Sequence, residues 1–197
     1  ALTPGHTLLA QDTMQRRPIP GTSESLPVIG LGTYEVFDVA ATPEQIDTRR
    51  AITTALHEAG GTVIDTSPMY NRSEAVIGEV LEGLDNREDF FLATKVWTDG
   101  REAGERQMRR SAELMQTDTI DLMQVHNRRD LDTHWQTIQG MQETGFIRYN
   151  GVTDYRASAH EAMVAIMKRY RPQFIQINYS LGEREAEREA LPVAQDV

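Results

Sequence analysis

Six short apolar runs alternate with six stretches of helical period along this chain, and that alternation leaves few folds open. The runs occupy residues 28–34, 62–65, 90–97, 119–126, 146–152 and 174–178. Thr62, Val63 and Ile64 show their character: β-branched residues in a short block read as a buried strand. The intervening stretches carry helix signals. Thr42 is placed to cap a helix, Pro43 to take its first position, and Gln45 to complete a capping box. Ile46, Ile52, Leu56 and Ala59 then face inward, and Gly60 and Gly61 stop the helix. Ser73 opens a second helix with Val76, Ile77, Val80 and Leu81 on one face and Gly83 at its end. A third covers residues 101–115. Leu131, Trp135, Ile138 and Met141 line a fourth, closed by Gly145, and Ala159, Met163, Ile166 and Tyr170 mark a fifth. Residues 183–195 read as a sixth, with the charged face EREAERE.

Strand–helix alternation at this spacing means right-handed βαβ units on a parallel sheet. An open doubly wound sheet and a (β/α)8 barrel compete. An open nucleotide-binding sheet carries its glycine fingerprint after the first strand, running into a helix. GLGTYE lacks the third glycine and runs into a loop instead. Polar residues sit at the ends of nearly every run, which is the barrel pattern, with the site on the C-terminal face. Ahead of the first run, RRPIP and LPVIG flank the turn-rich GTSES and predict a hairpin. Residues 14–197 are therefore read as a single domain.

Composition narrows the function. The chain has 197 residues, 39% of them hydrophobic, enough to bury a real core. Its formal charge of −10 argues against a nucleic-acid partner, which needs a basic face. No apolar run is long enough to span a membrane. There are no cysteines, which excludes thiol catalysis and zinc–thiolate sites, and no His/Asp/Glu cluster has metal spacing. Of 20 basic residues only Lys95 and Lys168 are lysines. A Lys inside an apolar strand of such a chain points to chemistry that Arg, which keeps its proton, does not perform. Residues 1–13, beginning with Ala, read either as the tail of an export signal or as a disordered leader. A cytoplasmic protein is expected in the second case and an exported one in the first. The oligomeric state is not legible.

Three runs end in a single reactive residue. The second delivers Asp65, with Tyr70 five residues on; the third delivers Lys95; the fourth delivers His126. Taken singly, each has a plain structural reading: a helix cap, a loop aromatic, a snorkelling amine, a core histidine. Together, on successive strand ends, they read as one active site. His57, His134 and His160 fall on predicted helices and His6 in the leader, and none is assigned a role.

The segments LPVIGLGTY, VIDTSPMYNRSEAVIG, LATKVW, DTIDLMQVHN, IRYNGVTDY and FIQINYS, in that order, resemble the aldo-keto reductase superfamily. The resemblance implies a (β/α)8 barrel that transfers hydride from a nicotinamide cofactor, NADP(H) with NAD(H) not excluded, to an aldehyde or ketone. It implies a catalytic tetrad of Asp65, Tyr70, Lys95 and His126, with Tyr70 as proton donor, Lys95 lowering its pKa and His126 orienting the carbonyl. It places Thr153, Asp154 and Gln176 on the nicotinamide amide, Gly32 and Thr33 beside the cofactor together with Asp65, and Tyr34, Trp97 and His126 around the substrate. The family more often has Ser-Asn where this chain has Thr153 and Asp154, and Gly where it has Asn71. Asn150 replaces an aliphatic residue. Only about six of eight βα units are present, against the roughly 250 residues of a typical barrel. The remainder is expected to exist outside this chain. The alternative is a non-catalytic or regulatory barrel that binds cofactor without turnover.

Overall fold

The computed structural model describes residues 14–197, so the 1–13 leader and His6 lie outside the described residues. A hairpin comes first: β1 (Arg16–Pro18) pairs antiparallel with β2 (Ser25–Pro27). Six parallel strands follow in strict sequence order: β3 (Gly30–Gly32), β4 (Val63–Asp65), β5 (Phe91–Val96), β6 (Ile120–Val125), β7 (Ile147–Asp154) and β8 (Phe174–Ile177). Each hands over to a helix: α1 (Pro43–Glu58), α2 (Ser73–Glu82), α3 (Arg101–Met115), α4 (Leu131–Glu143), α5 (His160–Tyr170) and α6 (Ala190–Asp196). A sheet in unbroken sequence order, with a helix after every strand, is the curled wall of a barrel rather than a doubly wound sheet.

The helices bury one apolar layer against the outside of the sheet. Ile64, Val76, Ile77, Leu81, Val96, Met108, Met115, Met123 and Ile138 form its centre. The approach of α2 to α3 depends on Gly78, where a Cβ would sit 2.3 Å from the Leu114 carbonyl oxygen. The inner face of the sheet has two layers. At the N-terminal ends of the strands, Phe91, Ala93, Leu122 and Tyr149 pack with Val63 and Phe174 against Ile19 and Leu26 of the hairpin. The hairpin thus plugs the bottom of the curl. Glu24 ties it in place through Tyr149, at 2.8 Å, and through an ion pair with Arg148. At the C-terminal ends the same columns become polar: Asp65, Lys95, Gln124, Thr153 and Gln176.

Several local expectations change. The Thr42 cap forms, its hydroxyl accepting from the Gln45 amide at 3.4 Å, but the Gln45 side chain accepts from Arg49 instead of closing a capping box. Ile52 is 45% exposed and Ala59 is exposed, because Thr53 is the residue that α1 turns inward with Ile46. The sixth helix does not run through residues 183–195. A 3₁₀ turn at Glu185–Arg188 and α6 are separated at Glu189, whose φ of −146° is incompatible with a helix. Arg184 pairs with Glu187 as the spacing predicts. Asn150 has a structural account. Its amide donates to Gln142 Oε1 at 2.9 Å, its carbonyl oxygen accepts from the Gln173 N–H at 3.0 Å, and it joins α4 to the start of β8. Asn71 has φ 50°, a left-handed backbone that Asn tolerates.

Candidate active site

The strand registers bring the inner polar layer together. Gly32 pairs with Asp65, Lys95 with Gln124, and Thr153 with Gln176. Lys95 is 1% exposed and cannot reach solvent. Its ammonium donates to Asp65 Oδ2 at 2.8 Å and to the Thr66 carbonyl at 2.6 Å. Burial pulls the Lys95 pKa down and Asp65 pushes back, so the ion pair keeps the ammonium in place. The other Asp65 oxygen accepts from Gln124 Nε2 at 3.3 Å. Gly151 beside Gln124 makes room for this: a Cβ there would stand 3.0 Å from Gln124 Cγ.

Tyr70 lies on the loop after β4, over this layer. The Lys95 ammonium sits 5.1 Å from the centre of its ring, and the ring packs edge-on against Tyr34 at 5.1 Å and His126 at 6.2 Å. The ammonium therefore faces the ring and donates its hydrogen bonds elsewhere. The expected lowering of the phenol pKa does not follow. Burial first, then the Asp65 charge, push it up to about 12.

His126 caps β6 and is buried. Its Nδ1 is 3.1 Å from Ser67 Oγ, which already accepts from the Met69 amide at 3.2 Å. With Nδ1 accepting the Ser67 proton, the remaining proton of the neutral ring lies on Nε2, the tautomer that turns a donor towards the cavity. Burial first, then the Lys95 charge, lower the His126 pKa to about 4, so the imidazole is neutral at pH 7. Tyr70, His126, Asn127 and Tyr155 are shared by two cavities, of about 210 and 650 Å³. The smaller adds Lys95, Thr153 and Gln176; the larger adds Tyr34 and Met69. Another polar cavity of about 430 Å³, lined by Arg87, Asp121 and Arg148 among others, lies at the opposite end of β5 and β6 and touches none of these residues.

A phenol, a buried ammonium–carboxylate pair and a neutral imidazole thus meet at the C-terminal rim of a curled parallel sheet. The aldo/keto reductase family model matches residues 28–197. The chain belongs to this family. Aldo-keto reductase YhdN of Bacillus subtilis is 32% identical over 202 residues, covering 93% of this chain and 59% of the relative. Methylglyoxal reductase YeaE of Escherichia coli is 31% identical over 190 residues, covering 92% and 65%. Among solved structures, the holo form of aldo-keto reductase AKR11C1 from Bacillus halodurans aligns with TM-score 0.77 at 25% identity, covering 93% of this chain and 63% of the other. An aldo-keto reductase from Klebsiella pneumoniae in complex with NADPH aligns with TM-score 0.72 at 30% identity, covering 87% and 61%. The chain thus spans 59–65% of the length of these relatives and structures.

Measured against the family expectation, not every residue stands where the resemblance put it. Thr33 is fully buried, and its hydroxyl donates to the Asp65 carbonyl at 3.0 Å, joining β3 to β4 rather than edging a ligand. Gly32 leaves open space where a Cβ would be. Trp97 does not line either cavity; the Arg129 guanidinium covers its ring at 4.2 Å. Asp154 is fully buried and turned to Arg128, at 2.8 Å, and Arg156, at 2.8 and 3.0 Å. Those hydrogen bonds, Arg156 foremost, hold its carboxyl well below the usual carboxylate range. Thr153, Gln176 and Tyr34 do line the cavities. The sequence reading passed over Ser67, Gln124, Asn127 and Tyr155. Strand alternation carried a signal for Gln124, which lies two residues before His126 and between the apolar Met123 and Val125.

Proposed function

We propose that this chain carries the catalytic rim of an NAD(P)H-dependent reductase of aldehydes or ketones. The observation that carries the reading is the convergence of Tyr70, Lys95 (held from behind by Asp65) and neutral His126 on one open cavity. The residues around it suit a nicotinamide. Thr153 and Gln176 line the cavity, and Asn127 offers a buried oxygen with no partner, a donor and acceptor set that matches a carboxamide. When bound, the cofactor supplies the hydride of the reaction.

Tyr70 then supplies the proton. With its pKa raised to about 12, the phenol is protonated across the physiological range, so the donor form is always present for reduction. The Nε2–H of His126 orients the carbonyl by a hydrogen bond. The Lys95 ammonium, held by Asp65 and Thr66, stabilises charge that develops on the carbonyl oxygen and the phenol. Tyr34, Met69 and Tyr155 form the outer wall. The relatives YeaE and DkgA are named methylglyoxal reductases, so methylglyoxal is the first carbonyl to assay.

The test is to titrate NADPH and NADH into the full-length protein while following protein fluorescence, then to assay a carbonyl panel with wild type and Tyr70→Phe. A reductase binds cofactor in both forms and turns over only as wild type. Equal turnover by both forms, or no cofactor binding, rejects the reading.

A further inference from the structure

Five buried side-chain polar atoms lack a hydrogen-bond partner among the described residues: Thr66 Oγ1, Ser111 Oγ, Asn127 Oδ1, His134 Nδ1 and His160 Nδ1. Of these residues only Asn127 lines the cavities beside Tyr70, and it lines both. A buried acceptor without a donor is costly and calls for a partner, and beside a ligand-sized cavity that partner can be a ligand.

The backbone singles out the same place. Asn127, Arg128 and Asp130 all have positive φ, at 52°, 60° and 47°. Three non-glycine residues in left-handed conformation within four positions store strain, and strain of this kind collects at ligand-binding loops. The loop is pinned from several sides. Arg128 donates to buried Asp154, Arg129 to Asp99 at 2.9 Å, and Asp130 accepts from the Gly100 amide at 2.7 Å. The carboxylate of Asp154, unavailable to a ligand because both its oxygens are taken by arginines, therefore serves to hold the residue next to Asn127.

Resting on the nicotinamide-dependent reading above, we propose that Asn127 Oδ1 grips the N–H of the nicotinamide carboxamide, in place of Asp154. The chemistry is selective. Tyr70, Lys95 and His126 Nε2 are donors suited to a carbonyl oxygen, and a simple carbonyl substrate has no proton to give an acceptor. The carboxamide has one, and Thr153 and Gln176 line the same cavity.

The test is a comparison of ligands without substrate. NADP+ and its 3-acetylpyridine analogue, in which a methyl ketone replaces the amide, are titrated into the full-length protein and its variants by calorimetry. Wild type binds NADP+ about 3- to 10-fold more tightly than the analogue, the range expected for one hydrogen bond. Asn127→Gly, which keeps the left-handed backbone, removes this preference and leaves the analogue's affinity unchanged, which also shows that the site is intact. Asn127→Asp, which keeps an acceptor, retains the preference. If Asn127→Gly weakens both ligands alike, or leaves the preference standing, the assignment is overturned while the reductase reading survives. If neither dinucleotide binds to wild type, both fall.

Discussion

The two inner layers of the curled sheet are built by the same strands and do opposite work. On β5 the inward column runs Phe91, Ala93, Lys95; on β7 it runs Tyr149, Gly151, Thr153; on β8 it runs Phe174, Gln176. The lower layer is apolar and closed by the hairpin. Two to four residues up the strands it becomes an ion pair, amides and hydroxyls around an open cavity. A strand end can therefore carry expensive polar groups because its start, ~7–13 Å away, holds the sheet together. The contrast predicts that changes above act mainly on the proposed activity and changes below mainly on stability.

Tyr70→Phe is the largest break on the upper side. Turnover falls by about 10²–10⁴-fold, the usual weight of a positioned acid. The Tyr70 hydroxyl makes no hydrogen bond within the described residues, so thermal unfolding of the variant stays within about 2 °C of wild type. Phe91→Ala is its counterpart below. It removes a buried ring from between Tyr149 and Phe174 and lowers stability by about 3–4 kcal/mol in urea unfolding. Turnover per folded molecule stays near wild type.

The pH dependence of stability sharpens the comparison. The folded His126 pKa of about 4 lies below its ordinary 6.5, so the unfolded chain takes up the proton first. This contribution is full at pH 7 and is lost as pH falls from about 6.5 towards 4, by on the order of 2 kcal/mol. Urea unfolding at pH 7 and pH 5 measures it, and His126→Gln reduces the difference between the two. Gln124→Leu gives the smallest effect. It removes one donor from Asp65 beside water-accessible space, so stability changes by about 1 kcal/mol and turnover falls several-fold.

The strands and helices were legible because their apolar periods are strong, and Asp65, Tyr70, Lys95 and His126 because each interrupts or follows such a run. What stayed hidden depends on partners supplied only by folding. Asp154 was read as a ligand contact because nothing in IRYNGVTDY shows that Arg128 and Arg156 will claim it. The raised Tyr70 pKa was not legible because burial and the Asp65 charge, which set it, arise only on folding. Asn127 looked like the residue after a histidine until its oxygen was found enclosed and unpaired. Ile52 kept the helical period and still faced solvent, since Thr53 packs inward with its hydroxyl satisfied by the Arg49 carbonyl at 2.9 Å.

The central claim is that the upper layer delivers a hydride and a proton to one carbonyl. Transfer of label tests it most directly: the full-length protein is given NADPH deuterated at the transferable C4 position together with an aldehyde it accepts, and the alcohol is analysed by mass spectrometry. The account predicts one deuterium on the former carbonyl carbon with wild type and unreacted aldehyde with Tyr70→Phe, although that variant still binds the cofactor. Bound cofactor with no label in the product from the wild-type protein would contradict it.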